Sequence, residues 1–164
     1  MKVVVDTNVL VSGMLSEHGA PSKVLQMILG GFLRVCFVSE ILAEYEAVLK
    51  RVEFNFSDAL TVRLLAQIVT AGERVFSKPL NFHLPDPSDD VFLEAALVGR
   101  VDCLITGNLR HFPASCREGI CILPPRKFLE FYAERQSGGT GKIKSPAARY
   151  RIHRKPKKKK KSGS

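Results

Sequence analysis

A short run of valines that ends in an aspartate constrains the fold of this chain more than any other feature. Residues 2–5 read Lys-Val-Val-Val, and Asp6 follows them directly. Because successive strand residues point to opposite faces, an uninterrupted apolar run predicts a strand buried on both faces, as in a parallel sheet. A carboxylate at the end of such a strand lies in the crevice where open α/β sheets bind their ligands. Burying its charge is costly, so the sequence predicts a compensating partner for Asp6.

Strands and helices alternate along the rest of the chain. Apolar runs and turn residues predict strands at 2–5, 32–38, 74–76, 103–106 and 120–123, and helices at 21–29, 39–51, 57–71, 89–98 and 124–134. Ser39 and Ser57 are the predicted N-caps of the second and third helices. Such alternation is typical of a parallel sheet covered by helices on both faces. The predicted fold class is therefore α/β, with a single domain over residues 1–136.

Composition excludes several classes of protein. No apolar run reaches the ~18 residues that a membrane-spanning helix needs. Asp6 and Asn8 interrupt the first apolar segment, which argues against a signal peptide. The four cysteines fit a reducing compartment. We therefore expect a cytoplasmic protein with no membrane partner. Because no Gly-x-Gly-x-x-Gly follows a predicted strand, a dinucleotide-binding enzyme is not supported.

Polar residues follow several predicted strands at what would be the same edge of the sheet. Asp6 ends the first strand, Glu44 lies in the helix after the second, and Asn108 follows the fourth; Asp89 and Asp90 begin a helix. Taken singly, an acid at the start of a helix is most often a partner of the helix dipole. Together, such hard oxygen ligands suit Mg²⁺ or Mn²⁺ better than zinc. Ions of this kind can activate water and stabilise the charge on a phosphodiester during cleavage.

Four segments, taken in order and spacing, resemble the PIN-domain ribonucleases, in particular the PIN-family toxin components of bacterial toxin–antitoxin pairs. The segments are Val-Val-Val-Asp6-Thr7-Asn8, Ser39-Glu-Ile-Leu-Ala-Glu44, Asp86-Pro-Ser-Asp89-Asp90 and Leu104-Ile-Thr106-Gly107-Asn108. The resemblance covers residues 1–134. It implies a Mg²⁺- or Mn²⁺-dependent endoribonuclease that cleaves single-stranded RNA.

The resemblance also implies roles for individual residues. Asp6, Glu44 and Asp89 match the catalytic, metal-binding acids of the family, and Asp90 is a further candidate metal ligand. Many members carry a fourth acid where this chain has Asn108, so one ion and two ions both stay open. The residues implied to orient ligands or substrate are Thr7, Asn8, Thr106 and Asn108.

Partners follow from the same resemblance. It implies a cognate antitoxin and a homodimer, and it leaves the target RNA unidentified. His111, close to Asn108 in the sequence, is a candidate RNA contact.

Positive charge is concentrated in residues 137–164. The chain carries 25 Lys and Arg and 16 Asp and Glu, a formal net charge of +9. Residues 137–164 hold eleven of these basic groups and no acid, so residues 1–136 have a net charge of −2. The segment has no apolar periodicity and is predicted to be disordered. It is interpreted as an RNA-gripping arm, with a nuclear-import-like run and a solvated terminus as alternatives. The candidate RNA-binding residues are Arg149, Arg151, Arg154, Lys155, Lys157, Lys158, Lys159, Lys160 and Lys161.

Two other functions stay open. Asn108 favours a non-catalytic PIN-like domain that binds RNA or a partner chain. A phosphatase of the haloacid-dehalogenase type is the second alternative, because Val-Asp6-Thr7 resembles its nucleophile strand. That family needs an acid two residues after the first aspartate, where this chain has Asn8, so the sequence favours it less.

Overall fold

The computed structural model describes residues 1–137. The predictions made for the basic segment beyond Ser137 lie outside the described residues. Six α-helices and five strands are present in residues 1–137. In chain order they are β1 (Lys2–Val5), α1 (Thr7–Leu15), α2 (Ala20–Leu29), β2 (Arg34–Phe37), α3 (Ser39–Leu49), α4 (Asp58–Ala71), β3 (Glu73–Arg74), α5 (Asp90–Gly99), β4 (Cys103–Ile105), β5 (Ile122–Leu123) and α6 (Pro125–Ser137).

The five strands form one parallel sheet in the order β3-β2-β1-β4-β5. The chain runs from β1 outward to β2 and β3, then crosses back to β4 on the other side of β1. The strand order therefore reverses between β1 and β4. Reversal points of this kind open a crevice at the carboxyl ends of the strands. The predicted parallel α/β fold is confirmed.

Helices cover both faces of the sheet. Helix α2 packs against α4 and α6, whereas α5 packs on β1, β2 and β4. Right-handed connections place α5 on the opposite face, because its crossover runs in the opposite direction. The three valines of β1 are fully buried between these layers, as their uninterrupted run predicts. No helix within residues 1–137 is long and apolar enough to span a membrane.

Helix α1 is an element that the sequence analysis did not predict. Asp6 is its N-cap and accepts a hydrogen bond from the Asn8 backbone N–H. Its residues are mostly apolar or β-branched, so no amphipathic period marks it. A Cβ at Gly13 would lie 2.8 Å from the Pro21 carbonyl oxygen, so glycine permits the close packing of α1 on α2. The helix thus depends on tertiary packing more than on local propensity.

The two predicted serine caps differ from the structure in detail. Val38 holds the N-cap position of α3, and the Ser39 hydroxyl instead accepts a hydrogen bond from Arg74 at 2.6 Å. Ser57 does hold the N-cap position of α4, but its side chain makes no capping hydrogen bond. The contact with Arg74 ties the start of α3 to the end of β3.

Candidate functional site

Asp6 lies at the reversal point of the sheet. It follows the last residue of β1, and its backbone N–H donates to the carbonyl of Ile105, the last residue of β4. The Thr106 hydroxyl, one residue further along, donates to the Asp6 carboxylate at 2.6 Å. The ends of the two central strands are thus joined through Asp6, in the crevice where a ligand is expected.

The Asp6 carboxylate is buried and well supplied with donors. Asp6 is 5% exposed to solvent. Oδ1 accepts from the Asn8 backbone at 3.1 Å, and Oδ2 accepts from the Asn8 amide at 2.7 Å. Burial raises the pKa of Asp6, while the hydrogen bonds from Thr106 and Asn8 lower it. The charged form therefore still lacks compensation, which a cation would supply.

Glu44 is held beside this crevice by α3. The Thr7 hydroxyl donates to Glu44 Oε1 at 2.5 Å, which joins α3 to the start of α1. Next to Glu44, the buried Tyr45 hydroxyl donates to the carbonyl of Val5. Burial raises the pKa of Tyr45 well above its usual value, and the charges of Asp6 and Glu44 act in the same direction. Glu44 and Asp6 are therefore both close enough for their charges to act on the Tyr45 hydroxyl.

Asp89 ends a 3₁₀ turn, Pro87–Asp89, that leads into α5. Its Oδ2 lies 2.6 Å from Nδ1 of His111, and Nδ1 lies 3.7 Å from Oδ2 of Asp86. One ligand atom from each of Asp86, Asp89 and His111 lies within 4.8 Å of the others. We call Asp86, Asp89 and His111 the DDH group. Asp6, Glu44 and Asp90 are not members of it.

The acids around the crevice repel one another. Burial is the largest cause that raises the pKa of Asp89, and the charges of Asp6 and Asp86 add to it. The hydrogen bond from His111 acts in the opposite direction. By contrast, hydrogen bonds from Ser88 lower the pKa of Asp86. A cation among these carboxylates would relieve the repulsion.

A hydrogen-bond network connects Asp6 to the DDH group. The Asn108 backbone N–H donates to the Thr106 hydroxyl at 2.9 Å, and Asn108 Nδ2 lies 2.6 Å from His111 Nε2. The Gly107 backbone N–H donates to Asn8 Oδ1 at 3.0 Å. A Cβ at Gly107 would lie 2.9 Å from that oxygen, so glycine permits the close approach. Asn8, Thr106 and Asn108 thus fix the side chains that surround the acids.

Asp90 has a different environment from Asp89. Its Oδ1 accepts from the Leu84 backbone at 2.8 Å, and its Oδ2 lies 2.6 Å from His83 Nδ1. Both oxygens are therefore engaged by the Pro-rich loop that precedes α5. The structure does not bring Asp90 into the DDH group, because both of its carboxylate oxygens contact His83 and Leu84 of this loop.

The donor set suits a divalent cation. Two donors bound to one Mg²⁺ or Mn²⁺ at about 2.1 Å are at most ~4.2 Å apart. The Nδ1–Oδ2 distances of 2.6 and 3.7 Å at His111 fall within that limit. Carboxylates suit Mg²⁺ and Mn²⁺, and an imidazole adds affinity for transition ions. The residues present therefore fit a metal ion.

The comparison with protein families identifies the family of this chain. The sequence model described as PIN domain matches residues 2–110, about two thirds of the chain. The chain belongs to the PIN-domain family. No curated protein and no solved structure matches it. PIN domains are generally nucleases that use a divalent metal, so membership agrees with the buried acids at the carboxyl edge of the sheet.

Two members of the DDH group were not predicted as metal ligands. Asp86 lies three residues before Asp89, and residues at that spacing eclipse in a 3₁₀ turn. The sequence Asp86-Pro87-Ser88-Asp89 carries this signal, since Asp86 caps the turn. His111 was predicted as an RNA contact. Its position beside Asp89 depends on how the segment after β4 returns to the sheet, which no local pattern specifies.

Proposed function

We propose that this PIN domain is a metal-dependent endoribonuclease that cleaves phosphodiester bonds of single-stranded RNA. The observation that carries the proposal is the buried Asp6 at the reversal point, with Asp89 close enough for their charges to repel. Such an arrangement is unfavourable without a cation. A divalent cation supplies a water of lowered pKa and offsets the charge that builds up on a phosphodiester.

The residues have distinct roles in this proposal. Asp6, Glu44 and Asp89 would hold the ion, which is Mg²⁺ or Mn²⁺. Thr7 orients Glu44 through the hydrogen bond at 2.5 Å, and Thr106 orients Asp6 through the one at 2.6 Å. Asn8 and Asn108 fix the backbone and the imidazole beside the acids. Because these side chains are held before substrate arrives, little reorganisation is needed.

The biological setting is proposed on the family alone. We infer a toxin of a toxin–antitoxin pair, with a cognate antitoxin that blocks the acidic site. We also infer a homodimer, a nuclease domain over residues 1–136, and a basic arm over residues 137–164. The concentration of eleven basic groups in that arm supports a role in holding RNA.

The experiment is cleavage of an unstructured, end-labelled RNA by the full chain, with Mg²⁺, Mn²⁺ or a chelator. Asp6→Asn, Glu44→Gln and Asp89→Asn should each abolish cleavage and leave the circular dichroism spectrum unchanged. Asp58→Asn is the matched control, because Asp58 is an exposed acid at the start of α4. It should cleave at the rate of the parent.

The outcome also decides between this proposal and the non-catalytic alternative, which Asn108 favours. RNA binding without cleavage under any metal condition would indicate a binding domain. Cleavage by Asp6→Asn at the rate of the parent would contradict the catalytic assignment. Membership of the PIN family leaves the phosphatase alternative without support.

A further inference from the structure

We propose that His111 is a metal ligand and that it makes the DDH group a mixed nitrogen–oxygen site, which prefers Mn²⁺ to Mg²⁺. The inference rests on the proposed function, because it concerns the ion that this function requires. It goes beyond that function by assigning two ligands, His111 and Asp86, outside the family's set of acids. It also assigns a preference between the two ions.

The position of His111 is fixed by its neighbours in the chain. It ends the 3₁₀ turn Leu109–His111, whose backbone is closed by the Phe112 N–H bonding to the Leu109 carbonyl at 3.1 Å. Phe112 itself is fully buried, and its carbonyl accepts from the Arg117 guanidinium at 2.8 Å. Because the buried Phe112 directly follows His111, the imidazole has a defined position beside the acids. Such pre-positioning reduces the entropy lost when a ligand residue binds an ion.

The two ring nitrogens of His111 have different partners. Nδ1 faces the carboxylates of Asp89 and Asp86, and Nε2 faces the side-chain amide of Asn108. Without an ion, an N–H at Nδ1 donates to Asp89 and Nε2 accepts from the Asn108 amide. An ion bound to Nδ1 would take the place of the proton there. The neutral imidazole would then carry its proton on Nε2.

Asn108 is suited to both states of the imidazole. When Nε2 carries the proton it needs an acceptor, and rotation of the Asn108 amide by a half-turn presents Oδ1 in place of Nδ2. Metal-bound histidines commonly donate their second ring N–H to such an acceptor. Asn108 is therefore a positioning residue for His111. An amide provides this acceptor without adding a negative charge to the site.

The imidazole of His111 changes the kind of donor at the site. A neutral imidazole adds a nitrogen donor beside Asp86 and Asp89 without adding charge. Mg²⁺ prefers oxygen ligands in near-ideal octahedral geometry, whereas imidazole suits first-row transition ions better. An imidazole among the carboxylates therefore shifts the preference toward Mn²⁺.

The test measures metal binding rather than activity. Mn²⁺ and Mg²⁺ are titrated separately into the full chain by calorimetry, and pulsed electron paramagnetic resonance of the Mn²⁺ complex detects ¹⁴N coupling from a bound imidazole. The parent should bind Mn²⁺ at least about tenfold more tightly than Mg²⁺ and show that coupling. His111→Gln should lose the coupling and weaken Mn²⁺ about tenfold, with a smaller effect on Mg²⁺. Asn108→Ala should weaken Mn²⁺ by a similar factor.

His83→Gln is the matched control. His83 Nδ1 lies 2.6 Å from Asp90, the same distance as His111 Nδ1 from Asp89, but His83 is not a member of the DDH group. This variant should keep the coupling and the Mn²⁺ affinity of the parent. An unchanged Mn²⁺/Mg²⁺ ratio in His111→Gln, or no ¹⁴N coupling in the parent, would overturn the inference.

The RNA assay separates the failure of this inference from the failure of the proposed function. Metal-dependent cleavage without nitrogen coupling would leave the nuclease standing and remove His111 from the ligands. Nitrogen coupling that depends on His111, with no cleavage in either ion, would leave the metal site standing and remove the nuclease.

Discussion

Asp6 and Asp89 are buried carboxylates whose hydrogen-bond partners do not fully offset the cost of burying their charge. Burial is the largest cause that raises the pKa of both carboxyls above the usual 3.8. In the pH range just above 3.8, the folded protein therefore holds protons on Asp6 and Asp89 that the unfolded chain has already released. Stability conferred by these groups therefore falls as the pH rises through this window.

A divalent cation should reverse this loss, because it stabilises the charged form of the carboxylates. We expect Mn²⁺ or Mg²⁺ to raise the melting temperature more at pH 7 than at pH 5, where protons compete with the ion. Differential scanning fluorimetry at both pH values, with and without the ion, measures this. In Asp6→Asn both the pH effect and the cation effect should shrink. A cation effect that is equally large at both pH values would contradict the prediction.

Asn108 should limit the number of tightly bound ions. Its amide holds His111 in place but cannot neutralise a second cation. We expect calorimetry on the parent to show one tight ion, and Asn108→Asp to tighten a second one. Gln67→Glu is a control that adds the same charge in α4, and it should not change the stoichiometry. Two equally tight ions in the parent would refute this prediction.

At the scale of elements, the site depends on contacts that hold α3 against the carboxyl end of β1. Thr7 binds Glu44, and the Tyr45 hydroxyl donates to the carbonyl of Val5. Tyr45 is fully buried, so the hydrogen bond lies in a region that water does not reach. Helix α3 thus presents Glu44 to the crevice through a defined anchor rather than through apolar packing alone.

Tyr45→Phe tests this anchor. Losing the hydrogen bond should lower the free energy of unfolding by about 1 kcal/mol, rising to ~3 kcal/mol if the Val5 carbonyl gains no other partner. Urea denaturation measures the change. Tyr132→Phe is the control, since Tyr132 is a partly exposed residue of α6, and its effect should stay within about 0.5 kcal/mol. Equal effects of the two substitutions would contradict the role assigned to the Tyr45 hydroxyl.

The extent to which sequence predicts these elements differs with the kind of signal. The apolar run before Asp6 specifies a buried strand because period and burial agree. Helix α1 has no clear amphipathic period in the sequence, and it depends on the Asp6 cap for its start and on Gly13 for its packing. The same apolar run predicts that Asp6 lies at the end of a strand. It does not place His111 beside Asp89, because the two are 22 residues apart and meet only through the tertiary fold.

At the scale of the whole molecule, charge is divided between two parts of the chain. Residues 1–136 have a net charge of −2, whereas residues 137–164 contribute eleven basic groups. A near-neutral body does not oppose self-association through charge repulsion. We expect a homodimer, measured as twice the chain mass of 18.2 kDa by light scattering. A monomeric mass at high protein concentration would contradict this expectation.

The basic segment should raise RNA affinity without contributing to the chemistry. An acidic site repels phosphate, so cationic groups elsewhere are needed to hold RNA near it. Each basic group engaged with single-stranded RNA should add roughly 0.7 to the slope of log affinity against log salt. Removing residues 138–164 should flatten that slope and weaken binding about equally for all sequences, measured by fluorescence anisotropy. Metal affinity and melting temperature should not change, because the truncated chain keeps residues 1–137, which contain the acids and every described strand and helix. If the truncated chain keeps the affinity and the salt dependence of the parent, the basic segment does not bind RNA.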